Sequence, residues 1–418
     1  MIKVLVINQP LNNRGDEAAH KALIRSLVDS DADLSIRVLF VGSNPDSVRQ
    51  FMVEDARVSY VNIRHKIMLR FTESAKKSFK HPLIWHLHPV VKEVSSHYAW
   101  ADAVLSSPGG ICMGGFQDWK HLFFLDMARR MHKPVYYYGR SIGPFPVLTE
   151  DNRRFKAKSI ELLNYFSFIS LRESQSIRYA EEMGIRNVVP TTDMAFLDSP
   201  DVQALPEELS FISSKPYVVF VPNLLVWHVA YKGKASRDEV VDFWCKALGI
   251  IRGHFNGHAI VMLPQLFNVG SEGDFNLFHE IAGQDGGGDI FVVDESYSSD
   301  VQQAIIRGAS ALFGSRYHSV VFAINNDVPF IAFSYEHKIE GLLDTLGLKQ
   351  LSVDIRHLFD APKVEDSVLS GFSAKLPGIG HNPEASMKAK RMARDCFDAF
   401  ISVLSSMNQQ DNDRGSSS

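Results

Sequence analysis

Short apolar runs alternate with amphipathic segments along nearly all of this 418-residue chain. The apolar runs are continuous, which is typical of strands that helices cover on both faces. In the first half they predict strands at Val4–Ile7, Val38–Val41, Val104–Ser106, Val135–Tyr138 and Phe168–Leu171. In the second half they predict strands at Tyr217–Val221, Ala259–Leu263, Ile290–Val293, Ala311–Phe313 and Phe330–Phe333. Amphipathic helices are predicted at Asp16–Val28, Trp119–Met131, Arg153–Leu163 and Glu239–His254. This alternation predicts an α/β fold with parallel sheets.

The length of the chain and the number of predicted strands favour two domains. One ordinary hydrophobic core does not extend over this many residues, and residues 199–216 are rich in Pro and Ser with little periodic pattern. We therefore expect two Rossmann-like domains with a cleft between them, at residues 1–205 and 206–383. A last helix at residues 384–408 has room to pack back across the seam. The polar tail at residues 409–418 is expected to be disordered.

The composition indicates a globular protein of a reducing compartment. Apolar residues make up 45% of the chain and charged residues 22%, as in soluble globular domains. The formal net charge of −4 argues against a general nucleic-acid binder. The three cysteines are too few and too far apart for a disulfide framework or a metal quartet. The first residues enter a strand without a secretion-signal pattern, and no apolar run approaches the roughly 20 residues of a membrane span. We expect a soluble, cytoplasmic protein.

The segment from Leu312 to Leu342 carries the strongest functional signal. It predicts a buried strand, a Gly-Ser turn and a helix, followed by a second apolar strand and a second helix. The crossover makes the two strands parallel, so both strand-to-helix loops open on the carboxyl edge, where ligands of open α/β folds bind. Arg316, His318 and Lys338 fall at these two helix starts. Two cations and an imidazole beside two helix N-termini predict a site for a small, multiply charged anion.

Three loops of the N-terminal half carry weaker signals. Asp16 follows the first predicted strand, where it is either an N-cap or a ligand contact. The loop at residues 106–119 contains Gly109 and Gly110, which either form a turn or let the backbone approach a ligand. Its position on a carboxyl edge favours the ligand contact. Arg172 lies just beyond the fifth strand, where it either pairs within its own helix or binds a ligand.

Six motifs in the right order resemble the polysaccharide pyruvyl transferase family, and the resemblance covers most of the chain. The motifs are Asn13-Arg14-Gly15-Asp16-Glu17-Ala18, Gly109-Gly110 through Gln117-Asp118, Ser141–Phe145, Leu171–Ser176, Asp193–Phe196, and Gly314-Ser315-Arg316-Tyr317-His318 followed by Pro329, Tyr335 and Lys338. The last motif is the most specific of the six. The sequence departs from the family pattern in a looser glycine cluster, GGICMGG, and in Asn223, where many members have an arginine.

The resemblance implies a two-domain fold like that of GT-B glycosyltransferases. It also implies transfer of a pyruvyl group from phosphoenolpyruvate onto a sugar of an exopolysaccharide or cell-surface glycan. The product is a cyclic ketal on two hydroxyl groups, and phosphate is released. The N-terminal domain would then be the acceptor side and the C-terminal domain the phosphoenolpyruvate side. This interpretation requires no metal and no cofactor, and phosphoenolpyruvate acts as a co-substrate.

We assign roles to single residues on the basis of this resemblance. Arg316 and Lys338 are expected to hold the two ends of phosphoenolpyruvate, with Arg172 as a third contact across the cleft. His318 is expected to be the general acid, because histidine is the residue type in this cluster whose ordinary pKa lies near neutrality. Asp118 is expected to orient or deprotonate the acceptor. Contacts to the acceptor or to the loops around it are assigned to Asn13, Asp16, Gly109, Gly110 and Gly143.

Two further segments allow more than one interpretation. Residues 64–97 are rich in Lys and Arg and form either a solvated helical insertion, which we favour, or a patch for an anionic membrane surface that carries a lipid-linked acceptor. His86 and His88, with His81 nearby, are more typical of surface residues than of a zinc site.

Two other functions remain open at this stage. A glycosyltransferase of the same architecture would use a sugar nucleotide, with Glu336 or Glu340 on the ribose hydroxyls. A non-catalytic glycan- or anion-binding protein would keep the scaffold without the reaction. The sequence identifies neither the acceptor sugar nor the oligomeric state.

Overall fold

The structure is a computed structural model that describes residues 1–10, 13–42, 49, 51–64, 89–198, 200, 202, 205–228, 231–267, 273–285, 289–361 and 363–415. The chain divides into two compact units. The first unit consists of Met1–Leu11, Asp16–Asp198 and Arg391–Ser418, and the second consists of Asn12–Gly15 and Ser199–Lys390.

The first unit is built on a parallel sheet. Its strands are β1 (Ile2–Ile7), β2 (Leu34–Gly42), β3 (Val58–Arg64), β4 (Ala103–Ser106), β5 (Gly109–Met113), β6 (Val135–Ile142), β7 (Phe168–Leu171) and β8 (Val188–Pro190). Within the described residues they lie in the order β3-β2-β1-β4-β6-β7-β8, with β5 paired to β6, and each pair is parallel. The strands β4, β6 and β7 are buried along their whole length, as expected of central strands in a parallel sheet.

The helices of the first unit follow its strands. They are α1 (Arg14–Asp29, from Asp16 on), α2 (Pro89–Trp100), α3 (Trp119–Arg130), α4 (Glu150–Tyr165) and α5 (Ser174–Glu182). Helix α4 begins earlier than the apolar pattern predicts because Thr149 and Asn152 form a capping box before its first amphipathic turn.

The second unit repeats this architecture. Its strands are β9 (Tyr217–Val221), β10 (Ala259–Met262), β11 (Ile290–Val292), β12 (Leu312–Gly314), β13 (Phe330–Ser334) and β14 (Ser352–Asp354). They lie in the order β11-β10-β9-β12-β13-β14, and each pair is parallel. The helices are α6 (Arg237–His254), α7 (Asp274–Asp285), α8 (Ser299–Arg307), α9 (Tyr317–Asn325), α10 (His337–Leu346) and α11 (Val364–Lys375).

A long C-terminal helix, α12 (Pro383–Gly415), belongs to the first unit from Arg391 onward. Phe400 is fully buried. Its ring centroid lies 5.4 Å from those of Tyr136 and Tyr138 and 5.9 Å from that of Phe168. Burial of such a side chain contributes roughly 1.5–3 kcal/mol. This aromatic packing attaches the helix to the sheet of the first unit.

Both sheets have the strand order of a Rossmann fold. Numbered from its own first strand, the second sheet reads 3-2-1-4-5-6, which is the order of a dinucleotide-binding fold. In such sheets ligands bind at the carboxyl ends of the strands, where the order reverses. These switch points lie between β1 and β4 in the first unit and between β9 and β12 in the second. The predicted α/β fold with two Rossmann-like domains is confirmed.

The structure differs from the sequence-based expectations in detail. The first unit ends at Asp198, it takes up the chain again at Arg391, and α12 runs to Gly415, into the segment expected to be disordered. The strands β3, β5, β8 and β14 have no counterpart among the predicted strands. Most of the basic segment at residues 64–97, including the three histidines considered for zinc, lies outside the described residues.

Two absences hold within the described part of the chain. No helix there is long and apolar enough to cross a membrane. No group of three or more His, Cys, Asp or Glu residues there is placed to hold a metal ion.

Candidate functional site

Arg316 stands at the switch point of the second sheet, between β12 and α9. It is the N-cap residue of α9 and is 7% exposed. Its Nη2 forms an ion pair with the carboxylate of Asp274, the first residue of α7. Asp274 also accepts hydrogen bonds from the backbone nitrogens of Gln265, at 3.0 Å, and Leu266, at 2.9 Å. Burial lowers the pKa of Arg316, but Asp274, Tyr335 and Glu336 together raise it more, so the net pKa is raised and the guanidinium stays charged.

Lys338 lies in the first turn of α10, which follows the neighbouring strand β13. Its Nζ is 2.8 Å from Oε1 of Glu336. Burial raises the pKa of Glu336, but Lys338, His228 and Tyr335 together lower it more, so the net pKa is below its ordinary value and the carboxylate is charged. Burial, together with the charge of Glu336, raises the pKa of Tyr335 well above its usual value, so the phenol stays protonated. Each predicted cation therefore has a carboxylate partner that the sequence motifs do not reveal.

His318 lies in the first turn of α9 and is 6% exposed. Its ring centroid is 5.1 Å from that of Tyr317 and 6.4 Å from that of Phe322. Gly15 lies directly against the imidazole. A Cβ atom at that position would stand 1.7 Å from Cγ and 2.0 Å from Nδ1 of His318. Residue 15 must therefore be glycine for the imidazole to occupy this position.

The loop that follows β10 anchors the segment around Gly15 in the second unit. Asn13 forms an isolated antiparallel bridge with this loop, and the backbone nitrogen of Arg14 donates to the carbonyl oxygen of Gln265 at 2.9 Å. Oδ1 of Asn13 accepts a hydrogen bond from the nitrogen of Gly15 at 2.8 Å. Asn13, predicted as a loop contact, thus orients the glycine that packs on His318.

Two buried amides lie at the same edge of the second sheet. Asn223 follows β9 and Gln265 follows β10, and both are 0% exposed. Neither the nitrogen nor the oxygen of either side-chain amide has a hydrogen-bond partner among the residues that the structure describes. The sequence singles out Asn223 only as the place of a missing arginine, and no motif points to Gln265.

In the first unit, Arg140 lies close to several of the residues predicted to contact a ligand. A Cβ atom on Gly109 would stand 3.3 Å from Oδ1 of Asp16 and 3.4 Å from Nη2 of Arg140. Arg140 is fully buried on β6 and donates to the carbonyl oxygens of Ser107, at 2.5 Å, and Gly110, at 3.5 Å. Asp16 lies in the first turn of α1 and is not its N-cap. The sequence does contain a signal for Arg140, because it is a charged residue within a mostly apolar strand.

Asp118 is close to the same glycine cluster. Its backbone nitrogen donates to the carbonyl oxygen of Cys112 at 3.2 Å. Its side chain caps α3, where Oδ1 accepts from the nitrogens of Lys120, at 2.9 Å, and His121, at 3.1 Å. One carboxylate oxygen thus has a structural role, and the catalytic role of Asp118 stays a prediction.

Arg172 and Gly143 make contacts inside the first unit. Arg172 is 1% exposed, forms an ion pair with Asp193, and donates from Nε to Oγ of Ser141 at 2.9 Å. Its predicted contact with phosphoenolpyruvate stays a prediction. Gly143 has a φ of 74°, and a Cβ there would stand 2.3 Å from the ring of Tyr179. The close contact with Tyr179 is sufficient to require glycine at residue 143.

The predicted site residues therefore fall into two groups, one in each unit. The second unit holds Asn13, Arg316, His318 and Lys338. The first unit holds Asp16, Gly109, Gly110, Asp118, Gly143 and Arg172.

Comparison with known proteins identifies relatives over nearly the whole chain. The sequence profile of the family described as polysaccharide pyruvyl transferase matches residues 13–337. The amylovoran biosynthesis protein AmsJ of Erwinia amylovora is 23% identical over 410 residues, which cover 92% of this chain and 93% of that protein.

Solved structures share the fold at low identity. A UDP-GlcNAc 2-epimerase from Neisseria meningitidis bound to UDP-GlcNAc has a TM-score of 0.56 and 11% identity, covering 96% of this chain and 99% of that one. The α,α-trehalose 6-phosphate synthase of Burkholderia multivorans has a TM-score of 0.53 and 12% identity, covering 98% and 99%. At such identities the likeness supports the GT-B-like fold alone.

Proposed function

Because the chain belongs to the polysaccharide pyruvyl transferase family, we propose that it moves the pyruvyl group of phosphoenolpyruvate onto a sugar of an exopolysaccharide or cell-surface glycan. The product is a cyclic ketal on two hydroxyl groups of one sugar, and phosphate is released. Family membership confirms the resemblance of the six motifs and makes the protein a glycan-modifying transferase. The donor and the ketal product are the proposed part.

One observation carries this proposal: Arg316, His318 and Lys338 stand at the starts of two helices that follow paired strands. β12 and β13 are hydrogen-bonded neighbours, with Gly314 opposite Ala332. Phosphoenolpyruvate carries a carboxylate and a phosphate on a three-carbon frame, so it requires two separate cationic contacts. A planar guanidinium, an ammonium group and two helix N-termini at one sheet edge provide them.

The two carboxylate partners give the two cations different roles. Asp274 is held by two backbone N–H groups as well as by Arg316, so this pair stays closed. Arg316 contacts the ligand with its remaining donors, of which Nε has no partner in the described part of the chain. Lys338 has a flexible stem and pairs with Glu336 alone among the described residues. We assign Lys338 to the phosphate, which it reaches by leaving Glu336.

His318 supplies the proton that the reaction requires. Protonation of the enol methylene makes C2 of phosphoenolpyruvate electrophilic. A first sugar hydroxyl adds to C2, phosphate departs with the electron pair of its C–O bond, and a second hydroxyl closes the ketal. The two sugar hydroxyls lose one proton each. One of these protons replaces the proton that His318 gives to the methylene carbon, and the other leaves with phosphate. Asp118 remains the predicted base for the acceptor.

Incubation with phosphoenolpyruvate and a panel of glycans tests the proposal. We expect phosphate release together with a gain of the ketal in the mass of one glycan, and neither with His318→Gln. Thermal stabilisation by UDP-glucose but not by phosphoenolpyruvate would favour a sugar-nucleotide glycosyltransferase. Stabilisation by a glycan alone would favour a binding protein.

A further inference from the structure

Gln265, Asn223 and Arg316 follow three neighbouring strands of the second sheet. Met262, Phe220 and Phe313 are paired across β10, β9 and β12. Each of the three polar residues stands three positions after one of these paired residues. All three therefore lie in loops at the carboxyl edge of the second sheet, and we call this set the row. We call Gln265 and Asn223 the amide pair.

The row contains one cation, Arg316. Arg316 is matched by Asp274, which also binds the backbone of Gln265. In the proposed function the remaining donors of Arg316 bind the donor anion, so a second phosphate or carboxylate at this place would meet no further cation among these three described residues. The row therefore favours an uncharged group beside the anion at α9.

The hydrogen-bonding capacity of the amide pair further restricts the chemical class of the ligand. Both nitrogens and both oxygens of Asn223 and Gln265 have no partner among the described residues. An oxyanion only accepts, so it would leave the two amide oxygens unmatched. A hydroxyl group both donates and accepts, and a compound with several hydroxyl groups can satisfy all four atoms.

An exposed aromatic side chain follows Asn223 closely in the chain. Trp227, in the loop after Asn223, is 43% exposed, and its ring meets that of Tyr335 at a centroid distance of 6.3 Å and an angle of 78°. Tyr335 directly follows β13, the strand that pairs with β12. An exposed indole offers an apolar face to the C–H face of a sugar ring. Arg316 and His318, which keep 7% and 6% of their surface exposed, give the side from which a ligand reaches the row.

We propose that Asn223 and Gln265 bind the hydroxyl groups of an uncharged sugar ring, with Trp227 against its apolar face. The identification of this sugar as the acceptor rests on the proposed function. The inference that the two amides bind a compound with several hydroxyl groups does not depend on it. The inference moves a sugar contact into the second unit, although the sequence analysis assigns the acceptor to the N-terminal domain. The ribose of a sugar nucleotide has the same chemistry, and the test separates the two.

Saturation-transfer NMR with the full chain tests the inference. The probes are methyl β-D-galactopyranoside, methyl β-D-glucopyranoside and UDP-glucose, with phosphoenolpyruvate binding followed by thermal shift. The double variant Asn223→Leu and Gln265→Met replaces the amides by apolar groups of similar size, and Asn164→Leu, at an exposed helix position, is the control. We expect the double variant to lose a glycoside signal by about tenfold or more. Its melting temperature should not fall, and its phosphoenolpyruvate response should stay within about twofold.

Each outcome bears on a different part of the account. Ribose signals of UDP-glucose that depend on the amides, without a glycoside effect, would support the polyol site and contradict the proposed function. Sugar signals that do not change in the double variant would overturn the inference, and an unchanged phosphoenolpyruvate response would then leave the proposed function intact. If the double variant unfolds, the single variants are compared. A fall in melting temperature in both, with unchanged sugar binding, would show that the amides serve packing and would also overturn the inference.

Discussion

The substitution Gly15→Ala tests the packing of the proposed general acid, His318, without mutating that residue. A Cβ atom at residue 15 would stand 1.7 Å from Cγ of His318, whereas real Cβ atoms stay at least 3.0 Å from such neighbours. The imidazole must therefore move by about 1.3 Å, the difference between these distances. A displacement of about 1 Å in a catalytic group lowers turnover by roughly 100-fold. Overpacking of this kind costs about 1–3 kcal/mol of stability.

We expect Gly15→Ala to lower kcat by about 100-fold and to leave the KM for phosphoenolpyruvate nearly unchanged, because Arg316 and Lys338 are not displaced. The assay is phosphate release at saturating acceptor. Gly249→Ala is the matched control, since Gly249 is also helical and has nothing within 4 Å of an added Cβ. The control should keep full activity and gain about 0.5–1 kcal/mol of stability. Wild-type turnover in Gly15→Ala would refute the idea that His318 acts from this position.

Three further predictions concern the same edge of the second sheet. His318→Gln should keep phosphoenolpyruvate binding and lower kcat by about 10²–10⁴-fold, with wild-type kcat in single-turnover assays contradicting the role. Asp274→Ala leaves Arg316 buried without its partner, so the free energy of unfolding should fall by about 3–5 kcal/mol, and equal denaturation midpoints would contradict this. Because Lys338 holds the pKa of Glu336 below its ordinary value, their pair stabilises the fold at neutral pH, and this stabilisation is lost as the pH falls through the lowered pKa. The melting temperature of Lys338→Met should therefore lie below that of the wild type at pH 7, and the difference between the two should become smaller in acid.

The apolar pattern predicts the bounds of a strand best where the strand is buried on both faces. Phe168–Leu171 and Tyr217–Val221 have the predicted bounds because all their side chains are buried, so no polar residue interrupts the run. Val58–Arg64 lies at the edge of its sheet and mixes polar with apolar residues, and Gly109–Met113 begins with two glycines. Edge position and glycine content remove the signal that a central strand carries.

The candidate site was predicted where its residues are close in sequence. Arg316, His318 and Lys338 follow two consecutive strands, so local pattern alone brings them to one edge. Asp274 and Gln265 reach the same edge only because the sheet places β10 beside β9 and β9 beside β12. No spacing rule connects residues that the strand order brings together, and this is why both were missed.

The central claim is that the cations at the starts of α9 and α10 hold phosphoenolpyruvate. Titration of phosphoenolpyruvate, followed by its ³¹P NMR signal, tests this most directly on the wild type, on Arg316→Gln, and on Arg307→Gln, an exposed control in the same unit. The account predicts a saturable change of the signal with the wild type and the control and none with Arg316→Gln. Equal binding by all three proteins, or binding by none, would contradict it.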